Sequence, residues 1–482
     1  MRRVLSVFSV AASAIALFTY ALVAGCGGGS TPHPAANVVP MTLSIGDTPP
    51  NGVGVVFFEA MITGVSLQPS DSSKAAVSVL STPTEVEMGH LQTDRAFLSL
   101  TNVPADTYAS MMLTFGNAAL TIVNHSGATV GSCANNSTCE VSPSFNPSTA
   151  TITSAPFPLT VTANSSVGIK LDFNVNSSVQ ADLSIAPTVT VKNVTTHHEG
   201  DDSEEMERLD DIDGQVSSLG SNQFMLTNER SGQTFTISVD SNTVFEDFGD
   251  SGCTASPANF SCMQQGQVVS VDLSENGTGA MVAKRVELEE KANGRAIKGT
   301  ITSVDSTTQF HLVVFNEEPT ISGLAEGSPV VVTIASGATF QIGRQELGDD
   351  GGFSISGATF ASGADLLVGQ DVQIRPGTVT TSGGITTITT DLVRLWPSQV
   401  TGTVGSNPGS SSFTLTGLSP LFTGATPAVT SINVQVLSNS EMDDFVGSAL
   451  TAGSTVSVRG LLFNTPTAPT LVTRKIRDDN QQ

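Results

Sequence analysis

Alternation with a period of two recurs along this chain and excludes most helical folds. In the clearest stretch Val167, Ile169, Leu171, Phe173 and Val175 alternate with Gly168, Lys170, Asp172 and Asn174. Extended backbone puts the first set on one face and the second on the other. Met111, Leu113 and Phe115 follow the same rule, as do Val189 and Val191. After residue 26 no long segment carries apolar residues at i, i+3, i+4 and i+7, the spacing a packed helix needs. Short alternating runs broken by Gly, Pro, Asn and Ser predict an all-β chain built from sandwiches or barrels.

The N-terminus departs from this pattern. Arg2 and Arg3 precede an uncharged run from Val4 to Ala24, the form of a secretion signal. The run ends in Leu22-Val23-Ala24-Gly25-Cys26, which resembles a bacterial lipobox: small residues at 24 and 25 suit the lipoprotein signal peptidase, and the Cys26 thiol accepts a diacylglyceryl group. The alternative is an uncleaved transmembrane anchor, because the run reaches the roughly 20 residues that span a bilayer. Both place the body outside the cytoplasm. Gly27-Gly28-Gly29-Ser30-Thr31-Pro32 then forms a tether too poor in apolar residues to pack. Gly27 in place of Asp after the lipidated cysteine favours the outer membrane, by the sorting rule of enterobacteria.

The formal net charge of −24, with only 13% charged residues, argues against nucleic acid and against a peripheral grip on anionic lipid, both of which draw on Lys and Arg. Of the five cysteines, the four besides Cys26 fall in two close pairs, Cys133 with Cys139 and Cys253 with Cys262. Sequential local disulfides are expected in an oxidising compartment. The alternative, a zinc site, lacks the CxxC-like spacing or nearby histidines it requires.

The first domain is expected over residues 38–195. It contains Met41-Thr42-Leu43-Ser44-Ile45-Gly46-Asp47-Thr48-Pro49-Pro50, Ile62-Thr63-Gly64-Val65-Ser66-Leu67, Val103-Pro104-Ala105-Asp106-Thr107-Tyr108 and the Leu171-Asp172-Phe173 strand. These motifs resemble the bacterial lipoprotein domain called domain of unknown function 4382, which implies an immunoglobulin- or transthyretin-like sandwich and no defined activity. Pro104 to Tyr108 reads as a turn feeding a buried strand. An acidic segment over 196–211 follows, with His197, His198, Asp201, Asp202, Glu204 and Glu205. A solvated linker is the first reading. A calcium or transition-metal tract is the second, although the spacing matches no ordered loop.

Beyond it three sets of landmarks recur in order. Gly214, Gly299 and Gly402 each sit in an apolar-x-Gly-x-apolar step. Phe224-x-Leu226, Phe310-x-Leu312 and Phe413-x-Leu415 follow, and then Gly266, Gly369 and Gly453, each opening a Gly-x-x-apolar-x-apolar run. A last strand lies near Val286, Val393 and Ile476. Three copies of one barrel are expected, at 212–290, 296–396 and 398–478, with an insertion around Gly351 to Gly363 in the second. A glycine inside the first strand signals a bend or a close backbone approach, as in an OB-like barrel. The pattern resembles domain of unknown function 5666; the third copy departs from it with Ser454 where the others have Gln267 and Gln370.

OB-like barrels often bind oligonucleotides or sugars, but a single-strand groove needs basic and aromatic side chains, and the chain has two Tyr and one Trp. Trp396 reads as packing at a domain junction. His90, His125 and His311 read as isolated, His311 on the solvent side of a strand. Asp250-Ser251-Gly252 is a chance likeness to an aspartic protease triplet. No Gly-x-Ser-x-Gly, His-Glu-x-x-His or Walker-type loop occurs, so no catalytic residue and no cofactor is expected. The sequence therefore predicts a non-enzymatic cell-envelope lipoprotein, a row of β domains on a tether. Its membrane contact is the lipid on Cys26, and its partner an envelope protein or glycan. Two alternatives are an adhesin or assembly subunit, and a hydrolase or metal-dependent enzyme built on loops.

Overall fold

The computed structural model describes residues 38–48, 54–80, 82–93, 96–163, 167–194, 209–228, 232–246, 248, 253–275, 280–288, 296–318, 321–342, 358–406, 408–443 and 450–479. The expected signal peptide, Cys26, the expected tether and the acidic tract from His197 to Glu205 lie outside them. Among the described residues no helix is long and apolar enough to cross a membrane.

The N-terminal domain is a β-sandwich. One sheet orders Val189–Val194, Val167–Asn174, Val38–Thr48 and Ala96–Pro104, with Val38–Thr48 parallel to Val167–Asn174. The other is built on a long antiparallel pair, Gly54–Pro69 with Asp106–Asn124, and shorter strands along its edges. Leu43, Ile169 and Phe173 from the first sheet and Phe58, Ile62 and Leu113 from the second fill one core. The Tyr108 hydroxyl donates to the Pro104 carbonyl at 2.8 Å and ties down the turn that starts the long strand. Val175, the last apolar residue of the alternating run, starts a one-turn helix, Val175–Ser178, while still buried.

Two closed barrels lie at the C-terminal end. The middle one uses strands Ala296–Ser306, Gln309–Glu318, Pro329–Ile342, Asp371–Ser382 and Ile385–Trp396; the last uses Ser398–Val404, Ser412–Thr416, Ile432–Asp443, Thr455–Phe463 and Thr470–Asp478. In both, the strands run round the barrel in the order 1-2-3-5-4, the third parallel to the fifth. Residues 209–288 form a six-stranded sheet in which Leu209–Leu219, Gln223–Thr227, Thr234–Ser238, Met281–Leu288 and Val268–Glu275 repeat that order. Thr234–Ser238 and Val244–Glu246 both pair in parallel with Met281–Leu288, one after the other, as the two halves of Pro329–Ile342 do with Ile385–Trp396.

The landmark glycines explain themselves. A Cβ on Gly299 would lie 2.5 Å from the Val313 carbonyl oxygen, and Gly214 and Gly402 face strand carbonyls at 2.7 and 2.8 Å. First and second strands cross too closely there for any side chain. Gly266, Gly369 and Gly453 have φ of +86°, +79° and +89°. Each donates its N–H at 2.8 Å to a first-strand carbonyl, of Val216, Ile301 and Val404 respectively. Gln267 and Gln370 close the turn by accepting from Gln264 N–H and Leu367 N–H at 2.7 Å, whereas Ser454 meets the Thr451 hydroxyl instead.

One expectation is corrected. The domains from 38 to 479 are not a row: the sandwich and the two C-terminal barrels share buried surface. Consecutive Phe57 and Phe58 point to opposite faces and are both fully buried, Phe58 in the sandwich core and Phe57 in a cluster with Val313 and Val368 of the middle barrel and Leu421 and Phe422 of the last. Burying one such side chain is worth about 1.5–3 kcal/mol. The polar face of Val167–Asn174 is covered as well, Lys170 and Asp172 being 2% and 5% exposed. Local alternation could not show this, because the covering group, Arg477, lies some 300 residues further on.

Candidate functional site

Where the sandwich meets the two C-terminal barrels there is a cleft of about 290 Å³. Its walls include the loop after strand Thr84–Glu87, the start of the middle barrel, strand Ser398–Val404 and the segment from Gly417 to Phe422.

Glu87 shapes the loop. Its Oε1 accepts from Phe58 N–H at 3.1 Å and Gly89 N–H at 3.0 Å, and its Oε2 accepts from His90 N–H at 3.1 Å. The same Oε2 lies 2.7 Å from His90 Nδ1, so a carboxylate oriented by backbone orients the imidazole in turn. His90 Nε2 is 3.3 Å from Thr300 Oγ1 and 3.9 Å from Asp371 Oδ2, and the ring packs on Phe315 at 4.1 Å between centroids. Thr300 donates to Asp371 Oδ1 at 2.6 Å. Burial pushes the Asp371 carboxyl up to about 6, against the opposing pull of His90 and of the Thr300 hydroxyl.

A second chain of hydrogen bonds crosses the cleft. Gln92 Nε2 donates to Gly89 O at 3.0 Å, which fixes its Oε1 as the acceptor for Thr401 Oγ1 at 2.8 Å. Thr401 Oγ1 lies 2.6 Å from Ser457 Oγ, and Ser457 Oγ lies 2.7 Å from Asp479 Oδ2. Three links need three protons, and the two hydroxyls supply two. The third is the carboxyl's own, so the full chain runs from Asp479 through Ser457 and Thr401 to Gln92 only while Asp479 is protonated. Burial pushes that carboxyl up to about 7, although Arg477 and Ser457 pull it down. Asp479 Oδ1 is buried without a hydrogen-bond partner, 3.9 Å from Arg477 Nε. Arg477, 2% exposed, clamps the sandwich through Gln92 O at 3.0 Å and Asp172 Oδ1 at 3.2 Å.

Residues 39–188 match the family described as domain of unknown function (DUF4382), and residues 213–287 match domain of unknown function (DUF5666). No curated protein matches the chain. Among solved structures, a Streptococcus pneumoniae multidomain protein with nucleic acid binding domains aligns at 10% identity over 54% of this chain and 72% of its own, with a TM-score of 0.11. Drosophila Unr CSD456 aligns at 11% identity over 56% of this chain and 96% of its own, at 0.12.

Of the residues singled out in the sequence, the cysteines pair locally: Cys133 with Cys139 and Cys253 with Cys262, at Cα separations of 5.7 and 5.1 Å. His125 faces Asn136 at 3.2 Å in an exposed turn. His311 pairs with Asp305 at 2.9 Å on the surface, as its place in the strand predicts. Trp396 lies under Lys298 Nζ at 4.1 Å. Asp250-Ser251-Gly252 lies outside the described residues, as do Cys26 and the tract of His197, His198, Asp201, Asp202, Glu204 and Glu205. No group of three metal-ligating side chains occurs among the described residues. The reading of His90 as isolated is corrected: it joins two domains. Its signal in the sequence is the Glu87-Met88-Gly89-His90 spacing, and the signal for Asp371 is an acid where the other two units have Val268 and Thr455.

Proposed function

We propose that this chain is a cell-envelope lipoprotein, exported by residues 1–25, lipidated on Cys26 and tethered by 26–37, which acts as a non-catalytic binding module. Its C-terminal part is read as three copies of one barrel, and the shared turn hydrogen bonds of Gly266, Gly369 and Gly453 support that reading. The observation that carries the binding role is the cleft itself: a concave site at the meeting of three domains, lined by amides, hydroxyls and two buried carboxyls. The partner is an envelope protein or glycan, and the acidic charge disfavours nucleic acid. The outer membrane is the proposed location. Cys26→Ser tests the anchor. It should abolish incorporation of labelled lipid and move the protein from the membrane fraction to the soluble one, and an unchanged membrane fraction would point to an uncleaved transmembrane segment instead.

A catalytic reading has one observation in its favour: Thr300 Oγ1, His90 and Glu87 are spaced as nucleophile, base and orienting acid. The proton positions count against it. Thr300 gives its proton to Asp371 at 2.6 Å, so its hydroxyl hydrogen is not directed at His90 Nε2. Hydrolysis of a simple nitrophenyl ester that disappears in His90→Ala would revive the enzyme reading.

A further inference from the structure

We propose that the cleft between the sandwich and the two C-terminal barrels holds a neutral polyhydroxylated ligand of about one sugar ring, donating its hydroxyls to Asp479 Oδ1 and Asp371 Oδ2. The size follows from the volume: about 290 Å³ corresponds to roughly ten waters' share of liquid. The chemistry follows from the lining. Part of the lining is apolar, Val55, Val56, Leu418 and Phe422, and suits the C–H groups of a ring. The lining also presents short hydroxyls and amides, Thr401, Thr403, Gln399 and Asn176, side chains that both give and accept hydrogen bonds.

The two carboxyls supply the specific demand. Each has one oxygen already in a hydrogen bond with a hydroxyl, Asp371 with Thr300 and Asp479 with Ser457. The other oxygen of Asp479 is buried with no donor, although its side chain is only 3% exposed and lines the cleft. Leaving a buried acceptor unserved costs free energy that a ligand hydroxyl would recover. His90 Nε2 lies 3.9 Å from Asp371 Oδ2, beyond hydrogen-bonding range. A neutral donor fits better than a cation. Arg477 stands 3.9 Å from Asp479, and Arg459 also acts on Asp371, so an added positive charge would meet repulsion at both ends.

This inference rests on the binding-module reading but not on the lipid anchor, so the two can fail separately: Cys26→Ser reports on the anchor and ligand titration on the cleft. The probes are glucose, galactose, N-acetylglucosamine and glycerol, with putrescine as the cationic control, titrated by calorimetry into the full mature chain. At least one pyranose should bind with a Kd in the millimolar range or below. Asp479→Ala, which removes the acceptor, and Thr403→Tyr, which fills the cleft without touching the carboxyls, should each weaken that binding by about tenfold or more. Thermal melting confirms that both variants are folded. The proposal is overturned if no sugar or glycerol binds up to about 20 mM, if putrescine binds and the sugars do not, or if sugar binding survives in both folded variants.

Discussion

Asp479→Asn should make the protein more stable at alkaline pH, the opposite of what removing a charged partner of an arginine normally does. The wild-type carboxyl titrates at about 7 in the folded chain against 3.8 for the free side chain. The folded state therefore holds this proton more tightly than the unfolded one. Its contribution to stability is complete below about pH 4 and is lost as pH rises through about 7. At about 1.4 kcal/mol per pH unit, the loss across that window is on the order of 4 kcal/mol. Asp371 adds a loss of the same sign that ends near pH 6. Asparagine reproduces the protonated state: its amide donates to Ser457 Oγ as the carboxyl proton does, and the relay to Thr401 and Gln92 persists at every pH. Thermal unfolding of both proteins between about pH 5 and pH 8.5 tests this. Wild type should lose melting temperature toward high pH, and the variant should lose less and melt a few degrees above it at the alkaline end. A variant that melts below wild type at about pH 8.5 would show that the Arg477 ion pair outweighs burial, and would refute the proton count along the relay.

Two further outcomes are expected. Gly299→Ala puts a methyl 2.5 Å from the Val313 carbonyl, where only backbone could yield, and should cost about 2–4 kcal/mol in denaturant unfolding; a loss below about 0.5 kcal/mol would mean that the strand crossing relaxes freely. Arg477→Met removes the guanidinium from buried Asp172 and should cost about 3–5 kcal/mol, with hydrogen exchange rising along Val167–Asn174; unchanged protection there would separate the arginine from the sandwich.

The fold class was legible because sheets write themselves into local sequence. Each pleat fixes which of two neighbours faces the core, as Ile169, Leu171 and Phe173 show. The barrel glycines were legible for a similar reason, since a strand crossing or a left-handed turn acts on one residue at a time. The site was not. His90 meets Thr300 across 210 residues, and Gln92 meets Thr401 across 309. Nothing near His90 in sequence announces a partner except Glu87, three residues before it. Lys170 and Asp172 carried the pattern of a solvated face and were covered instead, because alternation records polarity and not what lies opposite. Phe57 shows the same limit: two consecutive phenylalanines break alternation, and only the second sheet face, packed on the barrels, accounts for the first.

Arg477 also sets an order of events during synthesis. The sandwich is made first, yet Arg477 on its Asp172 side and part of the cluster over its Phe57 belong to the last barrel, made some 300 residues later. In a chain that emerges N-terminus first, part of that apolar surface and a buried-type lysine and aspartate stand in water until the last barrel arrives. The sandwich is thus open to capture by chaperones or by other unfolded chains until then, and truncation before Arg477 would leave it so permanently.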